Sequence, residues 1–378
     1  MSRSIFIVAA ESSGDLHGAS LARALRERAP DAELFAYGGP AMAAAGCQVV
    51  CDLTAHAAVG ISEAIRSIGV FRRALRDAVA LLDSRRPDAV VLIDSPELNL
   101  RLARRAHERG IPVIYYISPQ VWAWRQGRVK TIAECVDKLL CILPFEPAFY
   151  AQHGVDATFV GHPLVDSLSA YRHDRQFALD IGLPDHQPII GILPGSRRRE
   201  IARLLPVLLE AAHRTHRNLE GITIAIAPAP SVPPEQYERW PSLARNPVHL
   251  VPGRTYELMA GADLLLVASG TATLEAGIIG TPMIVTYKVS PLTWLIGRAL
   301  VKSVRYVSLV NLIVNRELVP EMLQGRCTPG RIARKAVSFF RDGGLRETAE
   351  ALAEEVLPQL GERGGAGRAA DEVLAFLS

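Results

Sequence analysis

Pro188-Ile189-Ile190-Gly191-Ile192-Leu193-Pro194-Gly195-Ser196-Arg197-Arg198-Arg199-Glu200-Ile201 passes from an apolar run into a helical pattern. The run up to Leu193 reads as a buried strand, residues 198–212 carry helical spacing, and Gly195-Ser196 is the turn between them. Such a turn suits an anion. Its backbone N–H groups point outward, the helix presents its positive end, and Arg197 with its two neighbours adds guanidinium groups. Alone, the stretch is explained equally well as an ordinary strand-to-helix turn with surface arginines.

The rest of the chain tilts the balance. Apolar strand candidates separated by helical stretches recur at Ile5–Ala9, Leu34–Tyr37, Ala89–Ile93, Val113–Ile117, Lys138–Leu143 and Thr158–Val160. After a polar stretch they begin again at Ile189–Leu193, Ile222–Ala227, Val248–Val251, Leu264–Val267 and Met283–Thr286. This alternation predicts α/β architecture: two doubly wound, Rossmann-like domains in series, with a helical tail. The expected division is 1–165, a linker over 166–186, a second domain over 187–345, and C-terminal helices over 346–378 that pack back on the first domain or on a partner protomer. A length of 378 residues suits two cores.

Net charge +3 and the absence of a basic tail or aromatic-interleaved basic patch argue against nucleic-acid binding. The composition is 49% hydrophobic, with mean hydropathy +0.16. No apolar run reaches the ~18 residues needed to span a bilayer. With no signal-peptide pattern at the start, a cytoplasmic location is expected. Five cysteines without a C-x-x-C pair speak against a disulfide framework or zinc site.

In open α/β sheets ligands bind beyond the carboxyl ends of the strands, so the loops there carry the candidate chemistry. Glu11-Ser12-Ser13-Gly14-Asp15 follows the first strand; Glu11, Ser13 and Asp15 are candidate contacts for a hydroxyl-rich ligand, although a plain helix start also fits. Asp94, at a strand tip before Ser95-Pro96, is placed to act as a general base, with Ser95 available as the helix cap. Trp122, Trp124 and Arg125 fall in an aromatic cluster that could wall a sugar or acyl site, or simply pack in the core. His162 could be a hinge or a ligand contact. Ser269-Gly270-Thr271 repeats the strand, small-residue turn and helix arrangement, and Glu275, one turn further on, could accept from ribose hydroxyls. Two such turns in one domain favour a nucleotide diphosphate. With no D-x-D, G-x-G-x-x-G or P-loop pattern, neither a metal nor a dinucleotide cofactor is expected. Ile61–Leu75 and Pro291–Tyr306 each combine apolar residues with cations, and together suggest peripheral membrane contact.

Taken jointly, E-S-S-G-D, I-D-S-P-E-L-N, Y-x-S-P-Q-V-W-A-W-R, L-P-F-E, V-G-H-P, L-P-G-S-R-x-x-E-I, A-S-G-T-A-T-L-E and the stretch Tyr306–Glu321 resemble the lipid-A-disaccharide synthases over nearly the whole chain. Ala10 departs from the family's usual glycine. The resemblance implies a GT-B glycosyltransferase of lipid A assembly, peripheral on the inner face of the inner membrane. It would transfer from UDP-2,3-diacylglucosamine to 2,3-diacylglucosamine 1-phosphate (lipid X) with inversion and without a cofactor. It further implies Asp94 as base, Arg197 with the Gly195-Ser196 and Ser269–Thr271 turns on the leaving group, and Glu317 and Asn311 near the sugar or diphosphate, Glu317 with a catalytic part. A homodimer with exchanged C-terminal segments is compatible with the family. Rival readings are another GT-B enzyme acting on UDP-N-acetylglucosamine, a 2-epimerase or lipid-linked transferase, and a non-catalytic nucleotide-sugar binder.

Overall fold

A computed structural model of the chain describes residues 3–54, 61–219, 221–229, 232, 237, 248–290, 293–295 and 304–378, with backbone only at 61–68 and 70. Two compact units emerge: Met1–Asp166 with Leu360–Ser378, and Ser167–Gln359.

Among the described residues the first unit holds seven strands: β1 (Ser4–Ala9), β2 (Glu33–Gly38), β3 (Gln48–Asp52), β4 (Ala89–Ile93), β5 (Val113–Tyr116), β6 (Lys138–Cys141) and β7 (Ala157–Phe159). They run parallel in the order β3-β2-β1-β4-β5-β6-β7. Side chains alternate between two cores. Phe6, Val8, Phe35 and Tyr37 enter one, while Ile5, Ile7, Leu34 and Ala36 enter the other. Both faces are therefore covered, which is why these strands read as unbroken apolar runs instead of alternating ones. Phe6 and Phe35 stack across β1 and β2 with centroids 4.8 Å apart. The C-terminal helix Gly365–Phe376 adds Ala369, Ala370 and Val373 to the Ile5 core. Its start is fixed by Asp166, whose carboxylate accepts from the Gly364 and Gly365 N–H groups at 2.8 and 3.2 Å.

The second unit holds β8 (Ile189–Leu193), β9 (Thr223–Ile226), β10 (Val248–Leu250), β11 (Leu264–Ala268), β12 (Met283–Tyr287) and β13 (Glu321–Leu323). They are parallel in the order β10-β9-β8-β11-β12-β13. The helix Arg198–Asn218 buries Leu204, Leu205, Leu208 and Leu209 against this sheet.

The two doubly wound sheets bear out the fold class expected from the alternation. Two strands escaped it for identifiable reasons. β3 is an edge strand, half-exposed with polar Gln48 and Asp52 at its ends; β13 has three residues and opens on a buried glutamate. In both sheets the order reverses beside the first strand, giving switch points at β1/β4 and β8/β11. Ligand crevices form beyond the strand ends at such points. No described helix is long and apolar enough to cross a membrane.

Candidate active site

Beyond β8 and β11 the second unit has a cavity of roughly 310 Å³, lined by Pro194, Gly195, Ser196 and Glu200 from one side and by Ser269, Gly270, Thr271 and Ala272 from the other. The two turns singled out in the sequence thus share one crevice. Gly195 has φ +110°, a conformation an L side chain rarely adopts. A Cβ on it would lie 2.2 Å from Glu200 Oε2. That same carboxylate accepts the Ser196 N–H at 3.1 Å. Glu200 stands three residues into the helix that starts after Arg197, the place from which a glutamate reaches back to the capping N–H groups. It therefore sits as an internal anion at the positive end of the helix. Arg197, Arg198 and Arg199 are exposed.

The second turn supplies fewer donors than expected. The Ser269 N–H donates to Thr286 O at 2.8 Å, extending the ladder, so it is withdrawn from the ligand. In the helix Thr271–Ile279, capped by Gly270, the Thr273 N–H donates to Gly270 O at 3.1 Å, which leaves the N–H groups of Thr271 and Ala272 at the helix start as donors. Glu275 is half-buried and accepts from the Tyr256 hydroxyl at 3.2 Å. Burial raises its pKa and the Tyr256 bond opposes that.

Asn311 and Glu317 do not reach this cavity. Asn311 is fully buried. Its Oδ1 accepts from the Leu318 and Val319 N–H groups, both at 2.9 Å, and its Nδ2 donates to Val319 O and Glu321 Oε1. A side-chain amide so occupied holds backbone and has nothing left for a sugar. Glu317 is exposed and lines a separate depression with Asp342 and Glu347. Glu321, which no motif reading singled out, is buried and accepts the Val307 and Ser308 N–H groups. The loop it fixes receives the Ser269 hydroxyl at Val307 O, 3.4 Å away.

In the first unit, Glu11 follows β1 and Asp94 follows β4, on either side of the other switch point. Burial, then the Glu11 charge, raises the Asp94 pKa, against a lowering hydrogen bond from the Ser95 N–H. Ser95 is the helix N-cap but its hydroxyl caps nothing, because it sits in the left-handed region with φ 43°. Ser13 is exposed at the helix start. Gly14 is a close-packing position, where a Cβ would meet Ala9 Cβ at 3.2 Å. Asp15 is buried, with both oxygens accepting from the N–H groups of Gly39, Ala41 and Met42; it anchors the loop after β2.

The aromatic cluster divides. Trp122 is 7% exposed and turns inward, donating from Nε1 to Glu146 Oε1 at 3.1 Å. Trp124 is 45% exposed with the Arg125 guanidinium stacked 4.5 Å from its ring centroid. Arg125 and Arg128 both bind Glu97 Oε1, at 2.7 and 2.6 Å, and these guanidinium groups, Arg128 first, hold the Glu97 pKa down against burial. Glu97 thus ties this loop to the helix behind Asp94. His162 is buried, accepts the Leu164 N–H on Nδ1 at 3.2 Å, and donates its own N–H to Leu360 O. Burial, with His17 nearby, depresses its pKa to about 3. It is a neutral joint to the C-terminal segment.

The family model for lipid-A-disaccharide synthetase matches residues 5–369. The chain belongs to the lipid-A-disaccharide synthase family. It is 42% identical to the lipid-A-disaccharide synthase of Myxococcus xanthus over 374 residues, covering 99% of this chain and 97% of that one. It is 41% identical to that of Syntrophus aciditrophicus over 380 residues, covering 100% and 98%. Among solved structures it is similar to the UDP-GlcNAc 2-epimerase of Neisseria meningitidis bound to UDP-GlcNAc (TM-score 0.64, 12% identity, 100% and 99% covered). It is also similar to the glycotransferase of kitacinnamycin (TM-score 0.65, 18% identity, 100% of each chain covered). At those identities the likeness speaks for the GT-B fold alone. The lipid-A-disaccharide synthase relationship carries the activity: the chain is a GT-B glycosyltransferase of lipid A disaccharide synthesis.

Proposed function

We propose that the enzyme transfers the sugar of UDP-2,3-diacylglucosamine to the 6-hydroxyl of 2,3-diacylglucosamine 1-phosphate, giving the β-1,6-linked tetraacyl disaccharide 1-phosphate and UDP. The observation that carries this reading is the cavity shared by the Gly195-Ser196 and Gly270-Thr271 turns, which converges helix N-termini on a volume suited to a diphosphate. Inversion at an α-linked donor takes one displacement. The acceptor oxygen bonds to C1 as the C1–O bond to the β-phosphate breaks, the hydroxyl proton passes to Asp94, and the electron pair leaves on UDP. The turns and Arg197 stabilise the charge that grows on the departing phosphate. Asp94 answers the need for a base because burial and the Glu11 charge raise its pKa and with it its proton affinity. Glu275, one turn into the helix whose start lines the donor crevice, is assigned to the ribose.

Both substrates are diacylated, so the reaction is assigned to a membrane surface. In the helix Ile61–Arg85, Phe71, Arg72 and Arg73 are exposed, a mix suited to a bilayer interface. Of the second segment named for this role, 291–292 and 296–303 lie outside the described residues; within the rest, Leu295 is exposed.

Incubation of the purified protein with both lipids, followed by mass spectrometry for the disaccharide and quantification of UDP, tests the reaction. Asp94→Ala is expected to lower kcat by ~1,000-fold or more, to a small residual rate, and to leave UDP affinity unchanged, since Asp94 and the cavity belong to different units. Arg197→Ala is expected to lower kcat by ~100-fold or more and raise the donor KM. Turnover of UDP-N-acetylglucosamine without any lipid acceptor would instead identify an epimerase.

A further inference from the structure

The proposed base stands on a strained piece of chain. Asp94 and Ser95 are consecutive non-glycine residues with φ 47° and 43°. Both lie in the left-handed region, which costs an L-residue steric energy and persists only where surroundings over-determine it. At Asp94–Ser95 the determinants are visible. Asn99, wholly buried one turn into the following helix, donates through Nδ2 to Ile93 O at 3.0 Å and to Asp94 O at 2.8 Å. Tyr115, fully buried on the neighbouring strand β5, donates its hydroxyl to the same Asp94 carbonyl. The Asp94 N–H is held by Tyr116 O at 3.2 Å, and Ser95 O accepts from the Leu98 and Asn99 N–H groups.

An ordinary strand-to-helix connection leaves its turning carbonyl to solvent or to one donor. Here two buried side chains from different elements converge on one carbonyl oxygen, and that residue bears the carboxylate at the switch point. The peptide plane on either side of the Asp94 Cα is thereby fixed, and with it the direction in which the Cα–Cβ bond leaves the backbone. Both donors hydrogen-bond to backbone carbonyls and not to the Asp94 carboxylate, so neither substitutes for it in chemistry.

We infer that Asn99 and Tyr115 form a two-point clamp on the Asp94 carbonyl that positions the base for proton removal. The inference rests on the reading of Asp94 as the general base. Asn99 and Tyr115 are positioning residues: they act through Asp94, and their loss should appear in the chemical step and not in substrate binding. A displacement of about 1 Å at a reacting group is enough to cost about 100-fold in rate.

The experiment is a kinetic cycle on the full-length enzyme with Tyr115→Phe, Asn99→Ser, Asp94→Ala and the double variant Asp94→Ala/Tyr115→Phe, each also checked for thermal unfolding and for UDP affinity by calorimetry. Tyr115→Phe is expected to lower kcat about tenfold, with both KM values and UDP affinity within about twofold of wild type. Asn99→Ser, which removes two donated bonds, is expected to lower kcat further. In the Asp94→Ala background, Tyr115→Phe should change the residual rate by less than about twofold, because a clamp has no effect once the group it aims is gone. A merely structural tyrosine would lower stability or disturb KM equally in both backgrounds. If Asn99→Ser fails to fold, the tyrosine arm of the cycle still decides. Wild-type kcat in a folded Tyr115→Phe enzyme, with Asp94→Ala reduced to its residual rate, overturns the clamp while leaving the base in place. Wild-type turnover by Asp94→Ala overturns the reading of the base and the clamp with it.

Discussion

The Glu200 carboxylate folds back over Gly195, taking the Ser196 N–H at 3.1 Å and filling the volume a side chain at 195 would need. A negative group therefore sits inside the cavity assigned to a negative ligand. A diphosphate entering there must displace the carboxylate or share N–H groups with it, and like charges at that distance oppose each other. Glu200→Gln is accordingly expected to bind UDP more tightly than wild type, by about three- to tenfold, and to lose up to ~1 kcal/mol of stability through a weakened cap. Calorimetric titration with UDP together with a denaturant melt checks both. Weaker UDP binding would make Glu200 a supporter of the ligand instead of its competitor.

Gly195→Ala adds a methyl group at φ +110° that would stand 2.2 Å from Glu200 Oε2. Strain in the turn and expulsion of the carboxylate toward the ligand act in the same direction. The donor KM is expected to rise about tenfold or more, with the remainder of the fold intact. Combining the change with Glu200→Ala relieves the second effect and not the first, so the double variant should recover part of the loss. Full recovery would show that the backbone conformation is not under strain.

The Glu11 charge is the second cause, after burial, of the raised Asp94 pKa. A base works only when deprotonated, so kcat/KM is expected to fall as pH drops through that raised value. Glu11→Gln removes the neighbouring charge, lowers the pKa of Asp94, and shifts the acid limb of the profile to lower pH, leaving more activity at mildly acid pH than wild type. A pH–rate series on both enzymes measures the limb directly. An unmoved limb would separate Glu11 from Asp94 energetically.

Much of this arrangement was legible in the chain because its signals are local. Apolar runs gave the strands, and the LPGS and ASGT stretches placed their turns at strand ends, where the switch points turned out to lie. What was not legible depends on which atoms are already engaged. Asp15 and Asn311 look like ligand residues in a linear motif, yet the first holds three backbone N–H groups and the second a whole loop. Nothing in spacing distinguishes a polar side chain aimed at a ligand from one aimed at its own backbone. Trp122 likewise faces Glu146, 24 residues away, a pairing that only the packing of two loops could reveal. Glu97, Asn99 and Glu200 sat within the motifs that were read, but their partners lie in the folded backbone and in other loops.

Glu146 offers a test of how burial and hydrogen bonding share control of one carboxyl. It is 1% exposed. Burial raises its pKa to about 7, although the Ser118 hydroxyl and the N–H groups of Leu143, Trp122 and Ile142 all act to lower it. With a folded pKa above the unfolded value near 4.5, protonation is linked to folding. The associated stability is fully present below about pH 4.5 and is lost as pH rises through about 7, amounting to roughly 3 kcal/mol at most. Glu146→Gln cannot ionise, so it lacks this dependence. The difference in unfolding free energy, wild type minus Glu146→Gln, is expected to decline between pH 4.5 and 7 and to level off above it, as measured by denaturant melts across that range. A difference that stays constant would mean that the N–H donors outweigh desolvation and that Glu146 is ionised throughout, anchoring the Trp122 loop as a charged acceptor.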